Sequence, residues 1–197
     1  MAREVEILVP VISDTEACQQ ALANFSEVNT THTVDTYYYD PLRPNLQPEE
    51  DGRIRECMRV RTKDGVKGGF IAHKSDVFEG EEWLYSNESE TPVEDAEAAH
   101  SIMRNLGLKV LTIVNCKKHV YLTADGKKEI VYEEVEGLGR FLEVENKTQV
   151  EEDQVATVKQ GLREFIAKEL SLEVGDELNA GKPELMLRQQ GFKPIEQ

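Results

Sequence analysis

Cysteine is scarce in this chain, and what there is does not cluster. Cys18, Cys57 and Cys116 are far apart, odd in number and without any C-x-x-C spacing. That disfavours both a disulfide framework and a structural zinc site, and it fits a reducing compartment. Long apolar runs are also missing. No stretch approaches the length that crosses a bilayer, and the N-terminus lacks a basic segment followed by an apolar one. A cytoplasmic location is therefore expected. Basic residues are outnumbered, with 23 Lys and Arg against 38 Asp and Glu, a formal net charge of -15. Phosphate backbones and anionic membrane surfaces would be repelled at long range, so neither nucleic acid nor a membrane is an expected partner. A small phosphorylated ligand would need only a local basic site. Repeats and low-complexity segments are absent from the sequence. Charged residues are interleaved with apolar ones, which reads as a folded chain, and 197 residues suit one domain, 1–197, with a less periodic tail from about residue 175.

What is present alternates. Residues 4 to 12 read as a strand, and Asp14 as the N-cap of a helix running to about Phe25, with Ala17, Ala21, Leu22 and Phe25 on one face. A β-rich run over residues 31–40 leads into a long loop ending near Gly52. Strand patterns follow at 53–62, 70–76, 83–91, 110–122 and 129–135, the first two joined by the turn Lys63-Asp64-Gly65. A helix from near Val93 to Gly107 would bury Ala98, Ile102, Met103 and Leu106. After the turn at Gly137-Leu138-Gly139 comes a last strand. Then Glu151-Glu152-Asp153 opens a helix with Val155, Val158, Leu162, Phe165, Ile166 and Leu170 at helical spacing. In the tail, Leu185, Met186 and Leu187 offer one more apolar contact. The expected fold class is α+β: about eight antiparallel strands with helices packed outside.

The charges share faces on these strands. Glu143 and Glu145 alternate with Leu142 and Val144, and Glu4 and Glu6 with Val5 and Ile7. Between these acidic ends lie Arg59 and Arg61, then Lys74, the acidic pair Glu88 and Glu90, and Lys118. Taken singly, each pair reads as a solvated strand face. Together they call for an interior that is wet and roomy, which a broad barrel supplies and a packed sandwich does not.

The segments EVEIL, DTYYYDP, CMRVRTKDG, AHKSD, NESETPVEDAEAAHSIMRNLGL and EEVEGLGRFLEVE occur in one order along nearly the whole chain. In them the sequence resembles the CYTH superfamily, the triphosphate tunnel metalloenzymes, which include class IV adenylyl cyclases, thiamine triphosphatases and inorganic triphosphatases. The resemblance implies a tunnel that binds a nucleoside triphosphate or another triphosphate together with Mg²⁺ or Mn²⁺. By that resemblance, Arg59, Arg61, Lys74 and Lys118 are the catalytic and phosphate-binding cations. Glu88 and Glu90 belong to the substrate site, and Glu4, Glu6, Glu143 and Glu145 supply the metal ligands. Glu133 stands where an acidic residue precedes the glycine turn. A homodimer is an arrangement the resemblance allows.

Three positions depart from the pattern. Leu8 stands where the opening motif has lysine, Ser86 where an arginine precedes the middle acidic pair, and Cys116 where a lysine is usual, unless a bulge brings Lys117 into place. A thinned cationic wall leaves two readings open. One is a metal-dependent enzyme that cyclises ATP or hydrolyses a triphosphate. The other is a weakened relative that binds a phosphorylated or other anionic ligand without turnover. The four histidines lack carboxylate or cysteine neighbours at motif spacing and read as structural. Of Tyr37, Tyr38 and Tyr39, one ring is expected on the tunnel side.

Overall fold

The computed structural model describes residues 2–194. Eight strands run in chain order: β1 (Ala2–Pro10), β2 (Ser26–Tyr39), β3 (Glu56–Lys63), β4 (Gly69–Glu79), β5 (Glu82–Val93), β6 (Lys109–Leu122), β7 (Lys128–Val135) and β8 (Gly139–Asn146). They close into an antiparallel barrel in the order β1-β5-β4-β3-β2-β6-β7-β8. The closing strand is β1, which pairs through its first residues with β5 (Glu4 opposite Ser86) and through the rest with β8 (Glu6 opposite Glu145, Leu8 opposite Glu143). The tight return from β7 to β8 needs left-handed backbone, which Gly137 (φ 79°) and Gly139 (φ 111°) provide without the steric cost of a Cβ.

Because one face of each strand is charged, the apolar face must be covered from outside. The helices do this. α1 (Thr15–Leu22) starts at Asp14, whose carboxylate accepts the Ala17 N–H at 2.8 Å, and α3 spans Val155–Glu169. Leu22 on α1 and Leu162 and Ile166 on α3 pack on Val5, Ile7, Ile130, Leu142 and Val144, all essentially solvent-free. Each such side chain contributes about 1.5 to 3 kcal/mol relative to exposure. α2 (Ala96–Asn105) covers Tyr38, Val60 and Val110.

Two expectations are corrected here. Of the expected stripe only Met103 is buried, joined on α2 by Ala96 and Ala99, whereas Ala98, Ile102 and Leu106 are exposed. Both sets fit helical spacing, and the small alanines allow the close approach to the sheet that decides between them. The less periodic tail holds a helix, α4 (Lys182–Gln189), opened by Gly181 and Pro183. Leu187, Leu185 and Met186 of α4 join Leu8, Tyr37, Ile54, Cys57, Cys116 and Phe141 in an apolar cluster across one end of the barrel. No helix among the described residues is long and apolar enough to cross a membrane.

Candidate active site in the barrel

The barrel encloses a cavity of about 870 Å³ lined from all sides by charge. Arg59, Arg61, Lys74, Lys118, Glu4, Glu6, Glu88, Glu90, Glu143 and Glu145 all line it, so the sequence-derived candidates are brought together in one space. Strand alternation explains this. On β3, Arg59 and Arg61 face inward while Val60 is buried beneath α2. Arg55, which precedes β3, is not part of the set: it pairs with Glu49 at 2.6 Å near the surface.

Ion pairs organise the interior. Arg59 Nη2 donates to Glu88 (2.8 Å) and Glu90 (2.7 Å), and Arg61 grips Asp35 with two parallel bonds of 2.7 Å. Lys74 lies 2.9 Å from Glu4 and 3.2 Å from Glu6, and Lys118 lies 2.7 Å from Glu133. Lys147 reaches Glu145 at 3.1 Å. Burial works against the charge on Lys74, but Glu6 and Glu4 beside it raise its pKa well above the ordinary lysine value. Burial would raise the Asp35 carboxyl too, yet the Arg61 guanidinium holds it well below the usual carboxylate range.

The departures from the motif pattern now have positions. Leu8 is buried in the apolar cluster beneath α4, and Cys116 belongs to the same cluster. Lys117 stays outside, near Glu134 at 3.9 Å, so no bulge carries it inward. Ser86 is solvent-free and donates to Asp76 at 2.6 Å. Part of the missing charge returns from α4. Lys182 reaches into the cavity and bonds Glu133 at 2.6 Å and Glu143 at 2.5 Å. Glu143 is the residue opposite Leu8, so the cation absent from β1 is supplied by a helix some 170 positions later. Burial alone would raise the Glu143 carboxyl, but Lys182, ahead of Lys118, draws it well below its ordinary range.

Sequence reasoning missed Lys182, Asp35, Asp76 and Glu184. Asp35 was findable, since it shares a strand face with Tyr37, the tyrosine that lines the cavity. Lys182 carried a weaker signal, a Gly-Lys-Pro-Glu helix start without an apolar stripe behind it. The histidines have local partners: His73 with Glu56 (2.7 Å), His100 with Tyr38 (2.6 Å) and His32 with Asp64 (2.7 Å). Burial pushes Cys57 and Cys116 up to about 12, which leaves neither thiol available as a thiolate nucleophile or soft ligand at neutral pH.

The fold has solved relatives at low sequence identity. A protein of Pyrococcus horikoshii superposes with a TM-score of 0.76 at 22% identity, over 93% of this chain and 99% of that one. A protein of Vibrio parahaemolyticus named as a candidate adenylate cyclase gives 0.72 at 19%, over 94% and 98%. A candidate adenylyl cyclase of Hippeastrum with a dominant triphosphatase activity gives 0.67 at 17%, over 97% and 96%. No curated protein matches the sequence. The description of the CYTH domain matches residues 2–180, ending just before α4. The chain belongs to the CYTH family, and its barrel is a triphosphate tunnel.

Proposed function

We propose that this protein is a divalent-metal-dependent enzyme that binds a triphosphate in the barrel and hydrolyses it. The observation that carries the reading is the convergence of Arg59, Arg61, Lys74, Lys118 and Lys182 with a set of buried carboxylates around one cavity large enough for such a ligand. Triphosphate chemistry asks the protein for positioning and charge stabilisation more than for covalent work, and these residues supply both. The tail belongs to the same functional unit in this reading, since Lys182 is one of the five cations.

Family enzymes generally use divalent metals. The donor chemistry fits a hard cation such as Mg²⁺ or Mn²⁺, because the carboxylates here are short of positive charge. Glu4 Oε2 is buried with the Lys74 ammonium 2.9 Å away, and Lys74 is shared with Glu6. Burial, reinforced by neighbouring carboxylates, raises Glu6 to about 8 and Glu145 to about 7, although lysines oppose both shifts. Among the described residues no three acidic, His or Cys side chains already converge into a cage, so binding requires side chains to rotate. Glu4, Glu6 and Glu145 would hold the ion, with Glu143 joining once released from Lys182. The bound ion would neutralise charge on the phosphate oxygens.

The chain's own residues do the rest. Arg59 exchanges Glu88 and Glu90 for phosphate oxygens, keeping its planar fork for two-point binding. Lys74 and Lys118 offer compact charges on either side, and Lys182 enters from α4. Each exchange frees carboxylates, so phosphate and cation are expected to enter together. Hydrolysis needs only water at the terminal phosphorus, whereas cyclisation also needs a ribose hydroxyl held in line with the α-phosphorus. One observation favours the non-catalytic reading: each of these five cations is already paired with carboxylates.

The test is product analysis. ATP and tripolyphosphate are incubated with Mg²⁺, Mn²⁺ or chelator, and phosphate, pyrophosphate and cyclic nucleotide are separated by anion exchange. Metal-dependent phosphate release is expected, with Arg59→Lys lowering kcat/KM by roughly 10- to 100-fold. Cyclic nucleotide with pyrophosphate would assign cyclisation instead. Tight metal-dependent binding without product would assign the binder.

A further inference from the structure

Strand pairing does not close the barrel along its whole height. β1 pairs with β5 over residues 2–4 and then follows β8, so β1 beyond Glu4 and β5 before Ser86 share no ladder. The tail lies in this seam. On the β1 side, the Gly175 N–H donates to the Pro10 carbonyl at 2.8 Å, the Leu178 N–H to the Leu8 carbonyl at 2.9 Å, and the Ile12 N–H to the Glu173 carbonyl at 2.9 Å. On the β5 side, the Asn179 side-chain oxygen accepts the Trp83 N–H at 3.1 Å. The fit is close, since a Cβ at Gly175 would come 2.7 Å from the Pro10 ring.

A buried charge reaches the same place from α3. Lys159 is 1% exposed and shares the buried face of α3 with Val155, Leu162 and Ile166. Its ammonium donates to the Trp83 carbonyl and lies 2.8 Å from Glu177 of the tail. The other oxygen of Glu177 accepts from Arg163 Nε at 2.7 Å, and Arg163 reaches Glu82 at 2.5 Å. Burial would raise the Glu177 carboxyl, but Arg163 and Lys159 hold it below its ordinary value. Lysine is rarely buried this far, and an apolar side chain of similar size would fill the space at less cost. An apolar side chain could not hold a β5 carbonyl and a tail carboxylate at once.

We propose that Lys159, Glu177 and Asn179 are positioning residues for the tunnel, which fix the tail in the β1–β5 seam and thereby set Lys182 inside the cavity. Lys182 follows Asn179 by three positions, a span too short to absorb a shift of the seam. The depth at which α4 enters the barrel is therefore set where the tail is held. Inside the tunnel Lys182 is tied only by Glu133 and Glu143, and it must release carboxylate to take up phosphate. A hold outside the tunnel keeps α4 in place during that exchange. The effect on ligand binding rests on the triphosphate reading, whereas the placement of Lys182 does not. Trp83 reports on the seam, because both of its backbone polar groups are held there while its ring lines the tunnel.

Hydrogen exchange, emission of Trp83, which is the single tryptophan, and tripolyphosphate affinity in Mg²⁺ are compared for Lys159→Met, Asn179→Leu and Asn179→Asp, and for Lys159→Met combined with Lys182→Met. Lys159→Met and Asn179→Leu are expected to speed exchange in residues 174–189 about tenfold, with β7 and β8 unchanged, and to shift the emission to the red. Asn179→Leu removes no charge, so it reports on the seam even where Lys159→Met folds poorly. Asn179→Asp keeps the acceptor for Trp83 and should stay near the wild type. Tripolyphosphate should bind about five- to tenfold more weakly to Lys159→Met, and Lys159→Met should add nothing once Lys182 is Met, because one residue acts through the other. Exchange and emission like those of the wild type overturn the proposal. So do exchange that rises equally over the whole barrel, Asn179→Asp as loose as Asn179→Leu, and an affinity loss that is the same with and without Lys182. A wild type that does not bind tripolyphosphate overturns the triphosphate reading, and exchange in residues 174–189 then decides the seam by itself.

Discussion

Lys182 holds two buried carboxylates at once, Glu133 and Glu143, from the first turn of α4. Removing it leaves Glu143 without its cation and Glu133 with Lys118 alone, and breaking a buried ion pair from one side costs about 3 to 5 kcal/mol. Lys182→Met is therefore expected to lower unfolding free energy by about 3 kcal/mol, read by urea denaturation. Leu8 lies opposite Glu143 on β1, so a lysine introduced there would compete for a carboxylate already paired. Leu8→Lys alone should destabilise the fold, because the new charge enters an apolar cluster and the carboxylate opposite it, Glu143, is already held by Lys182. In the Lys182→Met background the same substitution should restore part of the lost stability. A double-mutant cycle without that coupling would show that the two positions do not share Glu143.

At the scale of elements, α4 is fastened by Leu187, which is solvent-free, and by charged residues that point into the tunnel. Leu187→Ala is expected to cost about 2 to 4 kcal/mol and to loosen this end first, visible as faster hydrogen exchange in residues 182–189 than in β7 or β8. The character of α4 explains why it escaped sequence reading. Its buried positions are Lys182, Pro183, Glu184 and Leu187, so two of four are charged and no apolar stripe announces a helix. The strands were legible because a charged interior and an apolar exterior force strict alternation on β1, β3 and β8. Charge segregation brought Arg59, Lys74 and Glu143 into one cavity for the same reason. The α2 stripe was misplaced except at Met103, because helical spacing admits two faces and only the sheet beneath chooses Ala96 and Ala99 beside it. Trp83 depended on a β4–β5 register slip, which a single strand's pattern does not encode, whereas Asp76 shares the face of Lys74 by ordinary alternation.

For the whole molecule, the tunnel carries more carboxylate than its cations can neutralise, and pH reports this. Glu6, at about 8, and Glu145 and Glu184, both at about 7, bind protons more tightly in the folded chain than their ordinary value of 4.5. Their contribution is fully present below pH 4.5 and is lost as pH rises through 7 to 8. His100, which burial pushes down, works the other way near pH 6, as a single half-buried group. Melting temperature in chelator is thus expected to fall from pH 5 to pH 8, and Glu184→Gln should make the decline shallower. A melting temperature that rises across this range would contradict the charge imbalance. Added Mg²⁺ or Mn²⁺ should flatten the fall, because the ion stabilises the deprotonated carboxylates.

The central claim is that one cavity exchanges internal ion pairs for a triphosphate and its metal. Calorimetric titration of tripolyphosphate tests it most directly, in Mg²⁺ and in chelator, with wild type and Arg59→Lys. The expected result is saturable binding that tightens at least about tenfold with the metal and weakens about tenfold in Arg59→Lys. Binding that is indifferent to both the metal and Arg59, or no binding at all, would contradict the account.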